Sequence, residues 1–299
     1  MSKWEEKRLE DIIDVNPPVK LKKGESYPFI DIDKVSPTRR SVTNEEVKVY
    51  NGQSSSKFCD GDTVFSRITP CLENRKIAKV AIEGDAAFGS TEFYVFRAKK
   101  NKADARFTYY LTSSDAVVLP AINSMTGASG RQRADKRFIQ RLKLNLPDLP
   151  TQERIADILS AYDDLIEVNN RRIELLEQAA QELYKEWFVR FRFPGYENAK
   201  FEDGFPKGWT IKRLADYGRV ETGKTPSTDV LENYGGEMMF VKTPDMHGNI
   251  FIIQTEDKLS ERGHNTQPKK LLPVNSIMVS CIGTAGVVSI NAEPAHTNQ

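Results

Sequence analysis

Residues 151–188 read TQERIADILSAYDDLIEVNNRRIELLEQAAQELYKEWF. Within them Ile155, Leu159, Tyr162, Ile166, Asn169, Ile173, Leu176, Ala180, Leu183 and Trp187 recur at alternating steps of four and three. That is a heptad seam with a single polar member, Asn169. Thr151 is placed to cap the start with Glu153 in the first turn, no Gly or Pro interrupts residues 151–190, and Pro194 with Gly195 ends the pattern. At 1.5 Å per residue the helix is about 55 Å long. So long and strict a seam suits pairing with another long helix better than burial within one domain.

On either side of this helix the chain repeats itself. Trp4-Glu-Glu-Lys-Arg-Leu-Glu-Asp matches Trp209-Thr-Ile-Lys-Arg-Leu-Ala-Asp, and Asp62-Thr-Val-Phe-Ser-Arg-Ile runs parallel to Ser276-Ile-Met-Val-Ser-Cys-Ile. Ile77-Ala-Lys-Val-Ala-Ile echoes Ala285-Gly-Val-Val-Ser-Ile, and Ser90-Thr-Glu echoes Thr297-Asn-Gln. Short apolar runs among turn-rich loops (residues 63–66, 93–97, 239–242 and 250–254) read as strands, so both repeats are mixed α/β. The expected organisation is a first domain over 1–149, a spacer helix over 150–192, a linker over 193–208 with three Gly and two Pro, and a second domain over 209–299. Gln299 aligns with Glu92, so the second domain is expected to be incomplete and to lack a second long helix.

The 299 residues carry 43 Lys and Arg against 42 Asp and Glu, so a nucleic-acid site must come from local clusters of basic residues. Gly127-Ala-Ser-Gly-Arg-Gln-Arg-Ala-Asp-Lys-Arg137 is such a cluster, with Ser129, Arg131, Gln132, Arg133 and Lys136 beside flexible glycines. Gly lets backbone approach phosphate, and Arg and Gln make bidentate contacts to guanine and adenine edges. Arg39 and Arg40 follow a Pro-Thr turn, and Arg67, Arg75 and Lys76 flank a Pro-Cys loop. Each cluster taken singly also reads as a solvated face; their gathering in the loops of one domain favours DNA.

Other motifs compete. Gly218-Arg-Val-Glu-Thr-Gly-Lys-Thr225 fits the phosphate-loop pattern but has neither a buried strand before it nor an apolar helix after it, so it reads as a loop. Asn16-Pro-Pro-Val19 lacks the aromatic residue that stacks on a flipped base in amino-methyltransferases. Asp245, Glu256 and Lys258 sketch a metal-dependent nuclease, without an evident third acidic ligand. His247, His264 and His296 show no metal or triad spacing, and Cys59, Cys71 and Cys281 form no disulfide or zinc pattern. The charged N-terminus has no signal-peptide stretch and the run 276–290 is too short and polar to span a bilayer, so a cytoplasmic protein with no membrane role is expected.

Leu146-Pro-Asp-Leu-Pro-Thr-Gln-Glu-Arg-Ile-Ala-Asp-Ile-Leu159, then residues 163–170 and Leu183-Tyr-Lys-Glu-Trp-Phe188, resemble the central conserved region of type I restriction–modification specificity subunits. Phe205-Pro-Lys-Gly-Trp209 and Gly223-Lys-Thr-Pro-Ser227 resemble the opening of a target-recognition domain. The resemblance implies two mixed α/β target-recognition domains joined by a coiled-coil spacer, each reading half of a split DNA site. It adds Lys224 and Thr225 to the DNA-binding candidates. It implies a non-catalytic chain without a cofactor of its own, directing adenine methylation and restriction by partners. Those partners are methyltransferase subunits using S-adenosylmethionine and a translocase–nuclease subunit using ATP and Mg2+. Without a second spacer helix, a homodimer through the seam is one expectation. A nuclease using Asp245, Glu256 and Lys258, or a coiled-coil scaffold with no DNA role, are the alternatives.

Overall fold

Thr63–Ser66 is buried at every position and Phe93–Ala98 over its first four residues, as expected of strands covered on both faces. The computed structural model describes residues 4–44, 46–128 and 130–299, in two units, Met1–Tyr196 and Glu197–Gln299. The division falls inside the expected linker, and the long helix belongs to the first unit.

In the first unit, β1 (Trp4–Arg8), α1 (Leu9–Ile12) and β2 (Ile13–Val15) lead into β3 (Ser26–Ile30), β4 (Ser41–Val42), β5 (Val47–Val49), β6 (Ser56–Phe58), β7 (Thr63–Ser66), β8 (Ile77–Val80), β9 (Ala87–Gly89) and β10 (Phe93–Ala98). Then come α2 (Ala105–Ser113), α3 (Asp115–Asn123), α4 (Lys136–Gln140), β11 (Lys143–Pro147) and α5 (Leu149–Tyr184). One sheet has the order β2-β10-β7-β8-β4 and another β5-β3-β9-β6. Period-two alternation divides β7 and β10 between two cores. Val64, Phe93 and Val95 pack with Ile30, Val35 and Phe58, while Phe65, Tyr94 and Phe96 pack with Leu9, Val117 and Ile139. The β1–β11 ribbon, with Trp4 opposite Pro147, carries the chain to the helix.

Asp148, not Thr151, caps α5: its carboxylate accepts from the Thr151 N–H at 3.1 Å. Leu149 and Pro150 join the first turn, where a missing proline N–H costs nothing. The helix runs 36 residues and continues through a π-turn at Lys185–Val189. Its apolar seam is not the face that docks on the domain. Gln152, Ala156 and Ser160 are the buried stripe, where the short side chains of Ala156 and Ser160 allow close approach. Leu159, Tyr162, Ile166, Asn169, Ile173, Leu176, Ala180 and Leu183 are exposed, Leu176 to 70%, whereas Ile155 and Trp187 are half-buried.

The second unit contains the β12 (Phe201–Glu202) and β13 (Phe205–Pro206) hairpin, then β14 (Tyr234–Val241), α6 (Thr243–Met246), β15 (Phe251–Ile252), β16 (Lys258–Leu259), α7 (Glu261–Asn265), β17 (Ile277–Val279), β18 (Val288–Asn291) and β19 (Ala295–Thr297). Its sheets β16-β14-β19 and β15-β18-β17 reproduce β5-β3-β9 and β4-β8-β7, including the parallel pairs. Hydrogen bonds fix the register: Ala81 N–H to Val42 O matches Ala292 N–H to Ile252 O, and Ser90 N–H to Ile30 O matches Asn298 N–H to Val241 O. Ile77 therefore corresponds to Val288, not Ala285, and Ser90 to Asn298, not Thr297. Gln299 then corresponds to Thr91 rather than Glu92.

The Arg-Leu-x-Asp motif makes the same turn in both units, Arg8 N–H to Asp11 at 2.8 Å and Arg213 N–H to Asp216 at 2.9 Å. Leu9 is fully buried, whereas Leu214 is 79% exposed. No counterpart of β10, β11 or α2–α4 packs there among the described residues of the second unit.

Candidate nucleic-acid interface

The basic loop is a tight excursion between α3 and α4. Thr126 and Arg133 exchange both backbone hydrogen bonds (3.1 and 2.9 Å), and the Arg131 N–H reaches Ala128 O at 3.0 Å. Gly127 sits at φ +127°, where an added Cβ would lie 3.2 Å from Arg131 O, so only glycine fits. Ser129 lies outside the described residues.

This loop is fastened to the end of β7. Thr69 N–H donates to Gln132 O at 3.0 Å, Gln132 N–H to the Thr69 hydroxyl at 3.1 Å, and Ala134 N–H to Arg67 O at 2.8 Å. Glu92, in the turn between β9 and β10, accepts from Arg67 Nε (3.2 Å) and from Arg133 Nε and Nη2 (2.9 and 2.6 Å). Arg133, with Arg67 beside it, holds the Glu92 carboxyl below the usual carboxylate range despite partial burial. The Arg67 guanidinium lies 5.5 Å over the Tyr94 ring, and the buried Tyr94 hydroxyl donates to Ala134 O at 2.7 Å. Arg131 is exposed, and no acid pairs with it among the described residues. Lys136 follows in the first turn of α4, half-buried, behind the Asp135 cap.

The remaining basic residues have other engagements. Arg39 is exposed on the 36–39 turn, but the neighbouring Arg40 faces the long helix. Arg40 bonds Asp164 and Ser160 O and lies 3.7 Å from Glu167, with its side chain 17% exposed, so it belongs to the helix contact rather than to a DNA surface. The same contact includes Tyr110 OH to Asp163 at 2.6 Å and Arg106 to Asp157 at 2.7 Å. Arg75 ties the turn after β7 to Ser113 O and Asp115, and Lys76 Nζ donates to Ile32 O at 2.9 Å. Both act as cross-links within the domain. Sequence reading missed Glu92, Tyr94, Thr69, Arg106 and Tyr110; Glu92 stood in a repeat match, but an acid attracts no attention in a search for basic clusters.

In the second unit Gly223 presses against β19, where a Cβ would meet Thr297 O at 2.3 Å. Lys224 N–H donates to Thr297 O at 2.9 Å, leaving its side chain exposed, and the Thr225 hydroxyl donates to Gln299 at 2.7 Å. The segment 218–225 holds neither strand nor helix, so it is no phosphate loop. Asn16 pairs with Val95 through side chain and backbone, which makes its Pro-Pro segment a strand end.

The nuclease reading does not assemble. Asp245 caps its own turn, accepting from Lys242 N–H at 2.8 Å and Glu256 N–H at 3.1 Å, and Lys258 pairs with Glu237 at 3.3 Å. No group of three or more His, Cys, Asp or Glu is arranged to hold a metal among the described residues. His264 and His296, 32 residues apart, do meet, Nδ1 to Nε2 at 2.9 Å.

The type I restriction modification DNA specificity domain model matches residues 1–178 and 206–299. The chain is 32% identical to the type I restriction enzyme HindI specificity subunit of Haemophilus influenzae, over 85% of this chain and 68% of that protein. It is 25% identical to the MjaIX specificity subunit of Methanocaldococcus jannaschii, over 92% and 65%. It thus spans about two thirds of the length of these relatives. The crystal structure of a type I restriction–modification S subunit from M. genitalium shares the fold, with a TM-score of 0.52 at 13% identity over 100% of this chain and 71% of that one. With the family model covering both repeats, the chain belongs to the type I restriction–modification DNA specificity family.

Proposed function

We propose that this chain recognises duplex DNA for a type I restriction–modification complex and leaves catalysis to its partners. The observation that carries the reading is the 126–134 loop, fastened by backbone bonds to a rigid sheet and presenting Arg131 at its tip. Binding loops gain precision from a rigid scaffold. Gln132, Arg133 and Lys136 belong to or adjoin the same loop, Arg39 and Ser129 are carried as DNA-binding candidates from the sequence alone, and Lys224 and Thr225 serve the second unit. Methyltransferase subunits would supply S-adenosylmethionine-dependent adenine methylation, and an ATP- and Mg2+-dependent translocase–nuclease subunit restriction. On this reading the work takes place in the cytoplasm, with the proposed methyltransferase and nuclease partners. No helix among the described residues is long and apolar enough to cross a membrane.

The exposed seam of α5 supports pairing with another long helix, which a second copy of this chain would provide. An antiparallel crossing centred on Asn169 sets Tyr162 against Leu176 and Ile155 against Leu183. Methylome sequencing of cells carrying this chain with its methyltransferase tests both readings. A new palindromic split motif is the expected result. An asymmetric split motif would retain DNA recognition and reject the homodimer; no new motif would reject both.

A further inference from the structure

We infer that Glu92 is a positioning residue for DNA readout, clamping Arg67 and Arg133 so that Arg131 and Gln132, rather than Arg133, meet the bases. The inference rests on the DNA-reading function proposed above. A guanidinium reads guanine through two adjacent N–H groups. Arg133 turns Nε and Nη2 onto Glu92, and its Nη1 lies 3.4 Å from Arg131 O, so its fork is closed. Arg67 is fixed from two sides, by Glu92 and by the Tyr94 ring. Backbone bonds join the same three segments: Arg67 N–H to Glu92 O at 2.9 Å, Ala134 N–H to Arg67 O at 2.8 Å, and Thr69 N–H to Gln132 O at 3.0 Å. The outcome is a stiff tip on which Arg133, though exposed, is held by Glu92, while Arg131 has no acid partner among the described residues.

A carboxylate beside a phosphate-binding surface opposes DNA binding through its charge. Its benefit must therefore be geometric, and this separates two observables. Removing the charge while keeping the shape raises non-specific affinity or leaves it unchanged, yet lowers discrimination between sequences.

The test uses the full chain, the duplex it enriches from a randomised library and a scrambled duplex, titrated over a range of salt. Glu92→Gln is expected to bind the scrambled duplex at least as well as wild type while losing roughly tenfold in discrimination. Arg133→Lys keeps the charge but not the fork, and should lose discrimination at an unchanged salt slope. Arg131→Ala should weaken binding of the enriched duplex by roughly tenfold or more and relax discrimination, with the salt slope nearly unchanged. Unchanged discrimination in Glu92→Gln and Arg133→Lys would overturn the inference, as would parallel loss or parallel gain on both duplexes. A wild-type chain that enriched no sequence would overturn the DNA-reading function itself.

Discussion

Gln152 lies in the Thr-Gln-Glu-Arg-Ile start of the long helix, yet nothing within a helix requires glutamine there. It is 2% exposed. Its Nε2 donates to Pro147 O (3.0 Å) and Lys102 O (3.4 Å), and its Oε1 accepts from Asp104 N–H (3.3 Å). Asp104 in turn caps α2, so one amide joins the end of β11, the start of α5 and the start of α2. In Gln152→Ala all three bonds go, but Lys102 is exposed and regains water. Pro147 O stays buried, at a cost of about 1–2 kcal/mol, and lost packing adds about 1 kcal/mol. The expected total is about 2–3 kcal/mol. Gln152→Met conserves volume and should cost about 1–2 kcal/mol, the hydrogen-bond part alone. Urea unfolding followed by far-ultraviolet circular dichroism measures both. At about 2–4 °C per kcal/mol for a unit of this size, the Ala variant should melt roughly 4–12 °C lower. An Ala variant within about 0.5 kcal/mol of wild type, or a Met variant at full stability, would refute the reasoning.

Three further outcomes are expected. If the α5 seam associates, light scattering should show an oligomer that Leu159→Asp with Leu176→Asp converts to monomer; a parent chain that is already a soluble monomer would defeat this. Limited proteolysis should cut within residues 193–208 and then degrade the second unit, where Leu214, Tyr217, Ile277 and Ile282 are exposed and β17 is an open sheet edge. A protected C-terminal fragment would contradict that. Burial, and then neighbouring His264, hold His296 below the ordinary histidine value. The unfolded chain therefore binds the extra proton first, and stability present above about pH 6.5 is lost as pH falls towards the folded value. Melting of the second unit at pH 5.5 should lie below that at pH 8, and His296→Phe, matching Phe88 in the first unit, should flatten the difference. An identical transition at both pH values in the parent would sink this account.

The long helix, the two-fold repeat and the basic loop were legible in the sequence because each is a local or periodic signal. Backbone geometry alone makes a 3-4 spacing a helical stripe, and glycine beside arginine a loop. What the charges do was not legible. Arg133 meets Glu92 across 41 residues of chain and Arg40 meets Asp164 across 124, so the same residue type is a clamp in one place and a helix latch in another. The repeat was visible while its register was three residues out at β18, since ladder bonds, not letter matches, set which residues correspond. Likewise the seam foretold a helix but not that its Gln152–Ala156–Ser160 stripe would face the domain. Which face is buried depends on the partners that chain topology brings near, and no spacing within the helix encodes them.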